Sequence, residues 1–139
     1  MPTQIDHLVV AATSLEQGVQ WCEALFGITP ALGGEHALFG THNRLFKIAT
    51  PKFSMAYFEI IAINPEAIRP KKTTSLHPHR WFDLDNPELQ KSISKKPRLI
   101  HFVASTPDIK AARMALRMEG IDRGPAIHAE RQTSKGLLH

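Results

Sequence analysis

Three titratable residues stand inside runs that are otherwise apolar. Glu59 lies within MAYFEIIAI, and His7 and His101 are each the third residue of an apolar segment, IDHLVVAAT and LIHFVAST. An ionised carboxylate is costly to bury unless it meets a cation. Two imidazoles and one carboxylate, with open coordination positions left over, form a ligand set that divalent metals use in many enzymes. Such an ion would polarise a substrate carbonyl or stabilise an enediolate.

Simpler explanations of these residues stay open. Glu59 could pair with a basic side chain of a neighbouring strand, such as Arg44 or Lys47, or reach solvent at a sheet edge. A lone histidine in a core is more often a hydrogen-bonded filler than a ligand. The hypothesis of a metal site therefore depends on two histidines at equivalent positions occurring together with a buried glutamate.

Other polar and aromatic residues are candidates for the lining of a pocket. His36 and His42 flank the turn in GEHALFGTHN, where they could line a pocket, supply a fourth ligand or carry a proton. The remaining residues that we expect to line this pocket are Asn43, Tyr57, Arg80 and Trp81. His77 and His79 would point the same way on an extended segment, so a surface metal clip is a further hypothesis.

The first 63 residues predict a β-α-β-β-β unit. Period-two alternation predicts a strand over 4–12, and apolar residues at helical spacing predict a helix over 15–26. Ser14 is the expected N-cap with Gln17 at capping-box spacing, and Gly27 is the expected stop. Further strands are expected over 30–37, 42–49 and 54–63.

Residues 64–97 predict a connector, and the opening pattern then returns. The connector holds five of the ten prolines, with a short helix expected over 86–93. The second unit, 98–139, begins with the strand that carries His101. Its helix is expected to start after an N-cap at Thr106 and to bury a stripe formed by Ile109, Ala112 and Leu116. We expect the second unit to be incomplete over 98–139, because this stretch offers no counterpart of the strand over 54–63.

These features resemble the vicinal oxygen chelate superfamily, and most closely the bacterial glyoxalase-like domain proteins. The stretches that carry the resemblance are IDHLVVAATSLEQGVQWCEALFGITPALGGEHALFGTHNRLFKI, YFEIIAINPEA, RWFDLDNPEL and PRLIHFVAST. The resemblance implies an α+β fold of paired βαβββ modules in a single domain over 1–139. The first module would span 4–63, and 98–139 would be a truncated second module. Metal ligands on the first and last strands of the modules would be His7, Glu59 and His101.

The resemblance implies two classes of function. The first is a lyase, isomerase or dioxygenase that depends on a divalent metal (Zn, Mn, Fe or Ni) and acts on a small oxygenated metabolite. Glu59 would then be the catalytic residue that moves a proton beside the chelated oxygens. The alternative is a non-catalytic module that sequesters a drug or metabolite, in which His7 and Glu59 hydrogen-bond each other or the ligand. The truncated second module predicts an exposed sheet edge, which favours a homodimer.

Composition narrows the expected partners and location. The net charge is +4, but lysine and arginine are dispersed and are not interleaved with aromatic residues, so we expect no nucleic-acid partner. No apolar stretch is long enough to predict a membrane span. The N-terminus lacks a signal-peptide pattern, and the only cysteine, Cys22, lies on the apolar side of the predicted helix. We therefore expect a cytoplasmic protein with Cys22 in its core.

Overall fold

The computed structural model describes residues 3–67, 80–128, 131–133 and 136–138. These residues form seven strands and three helices in an α+β arrangement, as predicted. In chain order the elements are β1 (Gln4–Ala11), α1 (Leu15–Phe26), β2 (Ala31–His36), β3 (Thr41–Lys47), β4 (Tyr57–Ile63), α2 (Pro87–Lys95), β5 (Arg98–Ser105), α3 (Ile109–Met118), β6 (Arg131–Thr133) and β7 (Gly136–Leu138).

The strands form one mixed sheet in the order β5-β1-β4-β3-β2-β6-β7. β1 pairs in parallel with β4 and antiparallel with β5, so it is the strand through which the first β-α unit joins the second. The β2–β3 and β3–β4 pairings are antiparallel. The predicted order of the first unit, β-α-β-β-β, is confirmed, and its last strand returns to lie beside its first.

Helix α1 has the ends that the sequence predicts. The Ser14 hydroxyl accepts a hydrogen bond from the Gln17 backbone N–H at 3.1 Å, which satisfies a donor at the helix start. The Gln17 side chain accepts from the Thr13 N–H at 2.7 Å, so the capping box closes one residue earlier than expected. Gly27 ends the helix with φ 66°, a conformation that glycine adopts without steric cost.

Two hydrophobic clusters lie on opposite faces of the sheet. The cluster on the α1 face consists of Val10, Ala12, Cys22, Phe58 and Ile60. Cys22 therefore lies in the core, as predicted. We call the other face of the sheet the connector face. Its cluster consists of Val9, Ala11, Ile61, Leu84 and Ile93. The last two come from the segment 80–97 between the two β-α units. The segment 80–97 therefore covers the connector face of the sheet, as α1 covers the opposite face.

The connector is fixed to the first unit at both ends of its described part. The Trp81 indole N–H donates to the Thr41 hydroxyl at 3.1 Å, and the Ile93 carbonyl accepts from Thr13 Oγ1 and from the Gln17 amide. Between these points Phe82 and Asp83 have φ of 55° and 59°. Two consecutive non-glycine residues in the left-handed region store strain, which the surrounding packing must offset.

The second unit differs from the expectation at its helix. The N-cap of α3 is Asp108 and not Thr106, because the Asp108 carboxylate accepts from the Ala111 N–H at 3.0 Å. The predicted buried stripe is also wrong. No α3 residue is buried, and Ile109 and Leu116 are 54% and 40% exposed. In the described part of the chain β5 pairs only with β1, so no further strand lies beneath α3 to receive its apolar side. The short β6–β7 hairpin extends the far edge of the sheet at β2.

None of the helices in these described ranges is both long and apolar enough to cross a membrane.

Candidate functional site

A polar cluster lies on the connector face, among apolar side chains. Its members are His7 on β1, Glu59 on β4, Thr41 and Asn43 on β3, and His36 at the end of β2. Strand pairing explains the grouping, because paired residues of neighbouring strands point to the same face of a sheet. Glu59 pairs with Val9, Asn43 pairs with Ile61, and Thr41 pairs with His36. All five polar residues are buried.

The Glu59 carboxylate is the centre of this cluster. It is 2% exposed. Its Oε2 atom accepts a hydrogen bond from Asn43 Nδ2 at 2.5 Å and lies 4.0 Å from His36 Nε2. Its Oε1 atom lies 3.5 Å from His7 Nε2 and has no hydrogen-bond partner. Exposure at a sheet edge is therefore excluded as an explanation. The ion-pair partners of Glu59 in the described residues are imidazoles rather than Arg44 or Lys47.

The His7 ring is held on two sides. Its Nδ1 lies 2.6 Å from the Asp6 carboxylate, and its plane stacks on Tyr57 with a centroid distance of 4.3 Å and an interplanar angle of 13°. The side chain is only 11% exposed. These contacts leave Nε2 facing Glu59.

Burial and charge oppose each other in this pair. Burial is the largest influence on Glu59 and acts to raise its pKa, but His7 and the Asn43 hydrogen bond outweigh it, so the pKa is lowered from 4.5. Burial likewise acts to lower the pKa of His7, but Glu59 and Asp6 outweigh it, so the pKa is raised from 6.5. Both shifts favour an anionic Glu59 beside a cationic His7.

Backbone contacts of β2 fix the orientation of Asn43. The Gly34 N–H donates to Asn43 Oδ1 at 2.8 Å, so the Nδ2 group must face Glu59 and His36. Gly33 allows this close approach, because a Cβ atom at that position would lie 1.9 Å from Asn43 Oδ1. The glycine pair in ALGGEH therefore has a direct role in shaping the cluster.

The structure places His101 apart from this cluster, although on the same face of the sheet. His101 pairs with Val9, but its Nε2 lies 3.3 Å from the Asp83 carboxylate, and its ring lies 5.5 Å from that of Phe82. The two histidines are thus turned to different carboxylates. Within the ranges that the structure describes, no group of three or more His, Cys, Asp or Glu side chains is arranged to hold a metal ion.

The other expected pocket residues divide between the two faces. Trp81 lies over the cluster, with its ring 4.8 Å from that of His36. Arg80 donates to Asp85 at 2.5 Å beside it. His42 pairs with Ala62 and Glu35, so it lies on the α1 face, and burial lowers its pKa from 6.5. His77 and His79 lie outside the described residues.

Sequence reasoning missed three residues of this region. Asp6 contacts His7, and Asp83 contacts His101. Thr41 contacts both His36 and Trp81. Asp6 stands next to His7 in the sequence, which was an available signal. No such signal marked Asp83 in the sequence, because it reaches His101 through the left-handed turn at Phe82 and Asp83.

Two surface cavities lie away from the cluster. A cavity of about 470 Å³ is lined by Thr3, Gln4, Ile5, Lys52, Phe53 and Ala104, at the N-terminal end of β1. A second of about 410 Å³ lies along α3, lined by Lys110, Arg113, Met114, Arg117 and Met118. Neither is lined by His7 or Glu59. The segment around Trp81 covers the cluster instead.

Solved structures share this fold. Streptomyces coelicolor methylmalonyl-CoA epimerase in complex with 2-nitronate-propionyl-CoA superimposes with a TM-score of 0.58 at 17% identity, covering 94% of this chain and 88% of that chain. The epimerase from Mycobacterium tuberculosis gives 0.51 at 17% identity, with 91% and 74% covered. A hypothetical protein from Staphylococcus aureus gives 0.63 at 20% identity, and the match covers 97% of this chain but 49% of that one.

Comparison of the sequence with curated proteins finds no match. Comparison with protein families does, since residues 5–137 match the glyoxalase-like domain. The fold shared with the similar structures agrees with this match. The chain belongs to the glyoxalase-like domain family, within the vicinal oxygen chelate superfamily.

Proposed function

We propose that this protein is a metal-dependent enzyme of lyase or isomerase type, which moves a proton beside the carbonyl of a small oxygenated metabolite. His7 and Glu59 are the proposed ligands of a divalent ion, and Glu59 is the proposed catalytic residue. The observation that carries the proposal is the Oε1 atom of a 2% exposed carboxylate, which accepts no hydrogen bond and lies 3.5 Å from an imidazole nitrogen.

The spacing of these two atoms fits a shared ion. A nitrogen and an oxygen ligand each lie about 2.0–2.2 Å from zinc, so two ligands of one ion in tetrahedral geometry are roughly 3.4 Å apart. His7 Nε2 and Glu59 Oε1 are 3.5 Å apart. That distance is too long for a strong hydrogen bond. The separation therefore fits a shared divalent ion as well as it fits the direct ion pair.

The surrounding residues would prepare Glu59 for proton transfer. Asn43 holds Oε2, which leaves Oε1 as the oxygen that takes a substrate proton, a role in which it would give up its bond to the ion. The lowered pKa keeps the carboxyl ionised at neutral pH, as a base requires. A bound ion would polarise the substrate carbonyl and so make the neighbouring C–H more acidic.

His101 is the proposed third ligand, as its strand position implies. It lies on the same sheet face, one strand away from His7, but its imidazole now faces Asp83. Joining the ion would require the ring to turn away from that carboxylate. Measuring the metal affinity of His101→Gln tests this part of the proposal separately from the His7–Glu59 pair.

Metal analysis of the purified protein tests the central claim. After equilibration with Zn²⁺, Mn²⁺, Fe²⁺ or Ni²⁺ and removal of excess ion, we expect close to one equivalent bound to the wild type. His7→Gln and Glu59→Gln should each lose it. His42→Gln is the matched control, since it makes the same substitution on the opposite face of the sheet. A wild-type protein that takes up no ion, or a His7→Gln variant that keeps it, contradicts the proposal.

A non-catalytic binding module is the second candidate, and one observation favours it. The Asp6, Asn43 and Thr41 contacts hold His7, Glu59 and His36 in place by hydrogen bonds alone. In this case the cluster would orient a ligand without an ion. Absence of bound metal, together with saturable binding of a small carbonyl compound that Glu59→Gln abolishes, would favour this candidate.

The structural likeness to epimerases solved with acyl-CoA ligands supports a carbonyl substrate with an adjacent acidic C–H.

The proposed assembly is a homodimer, because the outer edge of β5 is unpaired in the described residues and Leu99 and Phe102 are 62% and 64% exposed. The proposed location is the cytoplasm, in keeping with a lone, buried cysteine.

A further inference from the structure

We infer that Asp6 is a positioning residue, which fixes the ring of His7 so that Nε2 alone is presented to Glu59. The inference rests on the proposed function in one respect, since Nε2 is the atom proposed to hold an ion. The geometry that carries it is independent of any ion.

A β-bulge places the Asp6 side chain beside His7. Consecutive residues of a regular strand point to opposite faces, so Asp6 should face away from the His7 ring. The register between β1 and β5 is interrupted at this point, because Ile5 pairs with Ala104 and His7 pairs with Val103. Asp6 is therefore the extra residue of a bulge, a feature that re-aims side chains and is common beside functional sites.

The contact that results determines which ring nitrogen carries a proton. Asp6 Oδ1 lies 2.6 Å from His7 Nδ1, and an ionised carboxylate can only accept a hydrogen bond. Nδ1 must therefore be the donor, whether the ring carries one proton or two. Only Nε2 is left to exchange a proton or to bind an ion, and it is the nitrogen that lies 3.5 Å from Glu59 Oε1. A carboxylate behind a metal-binding histidine has the same orienting effect in many metal sites.

His101 provides an internal contrast. Its carboxylate partner, Asp83, contacts Nε2 rather than Nδ1 and comes from the connector rather than from the same strand. The two histidines occupy equivalent strand positions, yet they are held through opposite nitrogens. Asp6 contacts Nδ1 of His7 and leaves its Nε2 facing Glu59, whereas Asp83 contacts Nε2 of His101.

Nitrogen NMR of the histidine side chains tests the inference directly in the metal-free protein. Above the pKa of His7 we expect the wild-type ring to be protonated on Nδ1. Asp6→Ala removes the acceptor, so protonation should shift to Nε2. Asp6→Asn keeps an acceptor oxygen without the charge, so the Nδ1-protonated form should persist. Asp122→Asn is the control, because it removes one carboxylate charge from an exposed pair with Arg117 at 3.7 Å.

Metal affinity supplies a second readout on the same variants. Loss of an orienting carboxylate lowers the affinity of metal sites by roughly 10–100-fold. We expect a loss of that size for Asp6→Ala, a smaller one for Asp6→Asn and none for Asp122→Asn. Should Asp6→Ala keep both the Nδ1-protonated ring and the wild-type affinity, the inference is wrong. If the wild type binds no metal at all, the proposed function fails, but the tautomer comparison still decides the role of Asp6.

Discussion

The ring of Trp81 stacks on that of Phe39 with a centroid distance of 4.1 Å and an interplanar angle of 9°. Phe39 belongs to the turn between β2 and β3, which carry His36 and Asn43. The stack, with the hydrogen bond from Trp81 to Thr41, fastens the connector over the polar cluster. The cover of the site is therefore attached to the hairpin that forms one of its walls.

Replacing Trp81 should separate the contributions of stacking and hydrogen bonding. We expect Trp81→Ala to lower the free energy of unfolding by about 3 kcal/mol, since a large aromatic side chain is removed from a packed site. Trp81→Phe keeps a ring but loses the donor to Thr41, so its cost should be about 1 kcal/mol. Urea denaturation of both variants measures the difference. Equal losses in the two variants would mean that the ring contributes little beyond its N–H.

The stability of the fold should depend on pH through the His7–Glu59 pair. The pKa of Glu59 is lowered from 4.5, so its contribution is present above pH 4.5 and is lost as the pH falls through the folded-state value. The pKa of His7 is raised from 6.5, so its contribution is complete below pH 6.5 and is lost as the pH rises through the folded-state value. The pair should therefore stabilise the protein most between pH 4.5 and 6.5.

Denaturation at a series of pH values checks this window against a variant. The difference in unfolding free energy between the wild type and His7→Gln should be largest inside the window and should shrink as the pH rises above it. His42→Gln, whose histidine has a pKa lowered by burial, should lack that maximum. A difference that does not change with pH would show that the two groups do not titrate as a pair.

Adding a single methyl group at Gly33 should disturb Glu59 through Asn43. In Gly33→Ala the new Cβ would lie 1.9 Å from Asn43 Oδ1 and 2.7 Å from its backbone oxygen, so Asn43 must move. Overpacking of this kind costs roughly 1–3 kcal/mol. Loss of the Asn43 hydrogen bond should also raise the pKa of Glu59, which carbon NMR of the carboxyl group can follow.

Gly27→Ala is the matched control for this prediction. A Cβ atom at Gly27 meets nothing within 4 Å, but its φ of 66° makes the substitution strained. This variant should lose stability while the Glu59 pKa stays unchanged. A Gly33→Ala protein with an unchanged Glu59 pKa would show that Asn43 does not depend on that close approach.

If the protein is the proposed homodimer, substitutions on β5 should change its oligomeric state. Phe102 is 64% exposed on a strand whose outer edge is unpaired in the described residues. If a second copy of the protein covers Phe102 and the β5 edge, Phe102→Lys should shift the protein from dimer to monomer in sedimentation velocity. Met55→Lys, at a side chain that is 73% exposed on the loop before β4, should leave the dimer intact. A wild-type protein that sediments as a monomer at high concentration contradicts the proposal.

Local signals made the first unit predictable. Ser14 and Gly27 bounded helix α1 at both ends, because capping and left-handed glycine depend on neighbouring residues alone. Alternation located β1, and the turn residues on either side located β3 and β4, each within a few residues. The burial of Glu59 followed from its apolar neighbours, and the return of β4 to lie beside β1 then brought it to His7.

Features that depend on distant parts of the chain were not predictable. Helix α3 has the spacing of a helix that packs on a sheet, but whether a sheet lies beneath it is not encoded in that spacing. The direction of the His101 ring depends on the strained turn at Phe82 and Asp83, which propensity alone would not place in the left-handed region. The bulge at Asp6 likewise arises from pairing with β5, far along the sequence.

The parallel pairing of β1 with β4 has a consequence for how the protein folds. Parallel neighbours require a crossover, so the contact between His7 and Glu59 spans the whole stretch of chain that forms α1 and the β2–β3 hairpin. Such non-local contacts close late and slowly, because the entropy of the intervening loop must be overcome first. The cover carrying Trp81 follows later still in synthesis. On the ribosome, the nascent chain should therefore acquire its hydrophobic layer under α1 before its polar cluster is shielded from water.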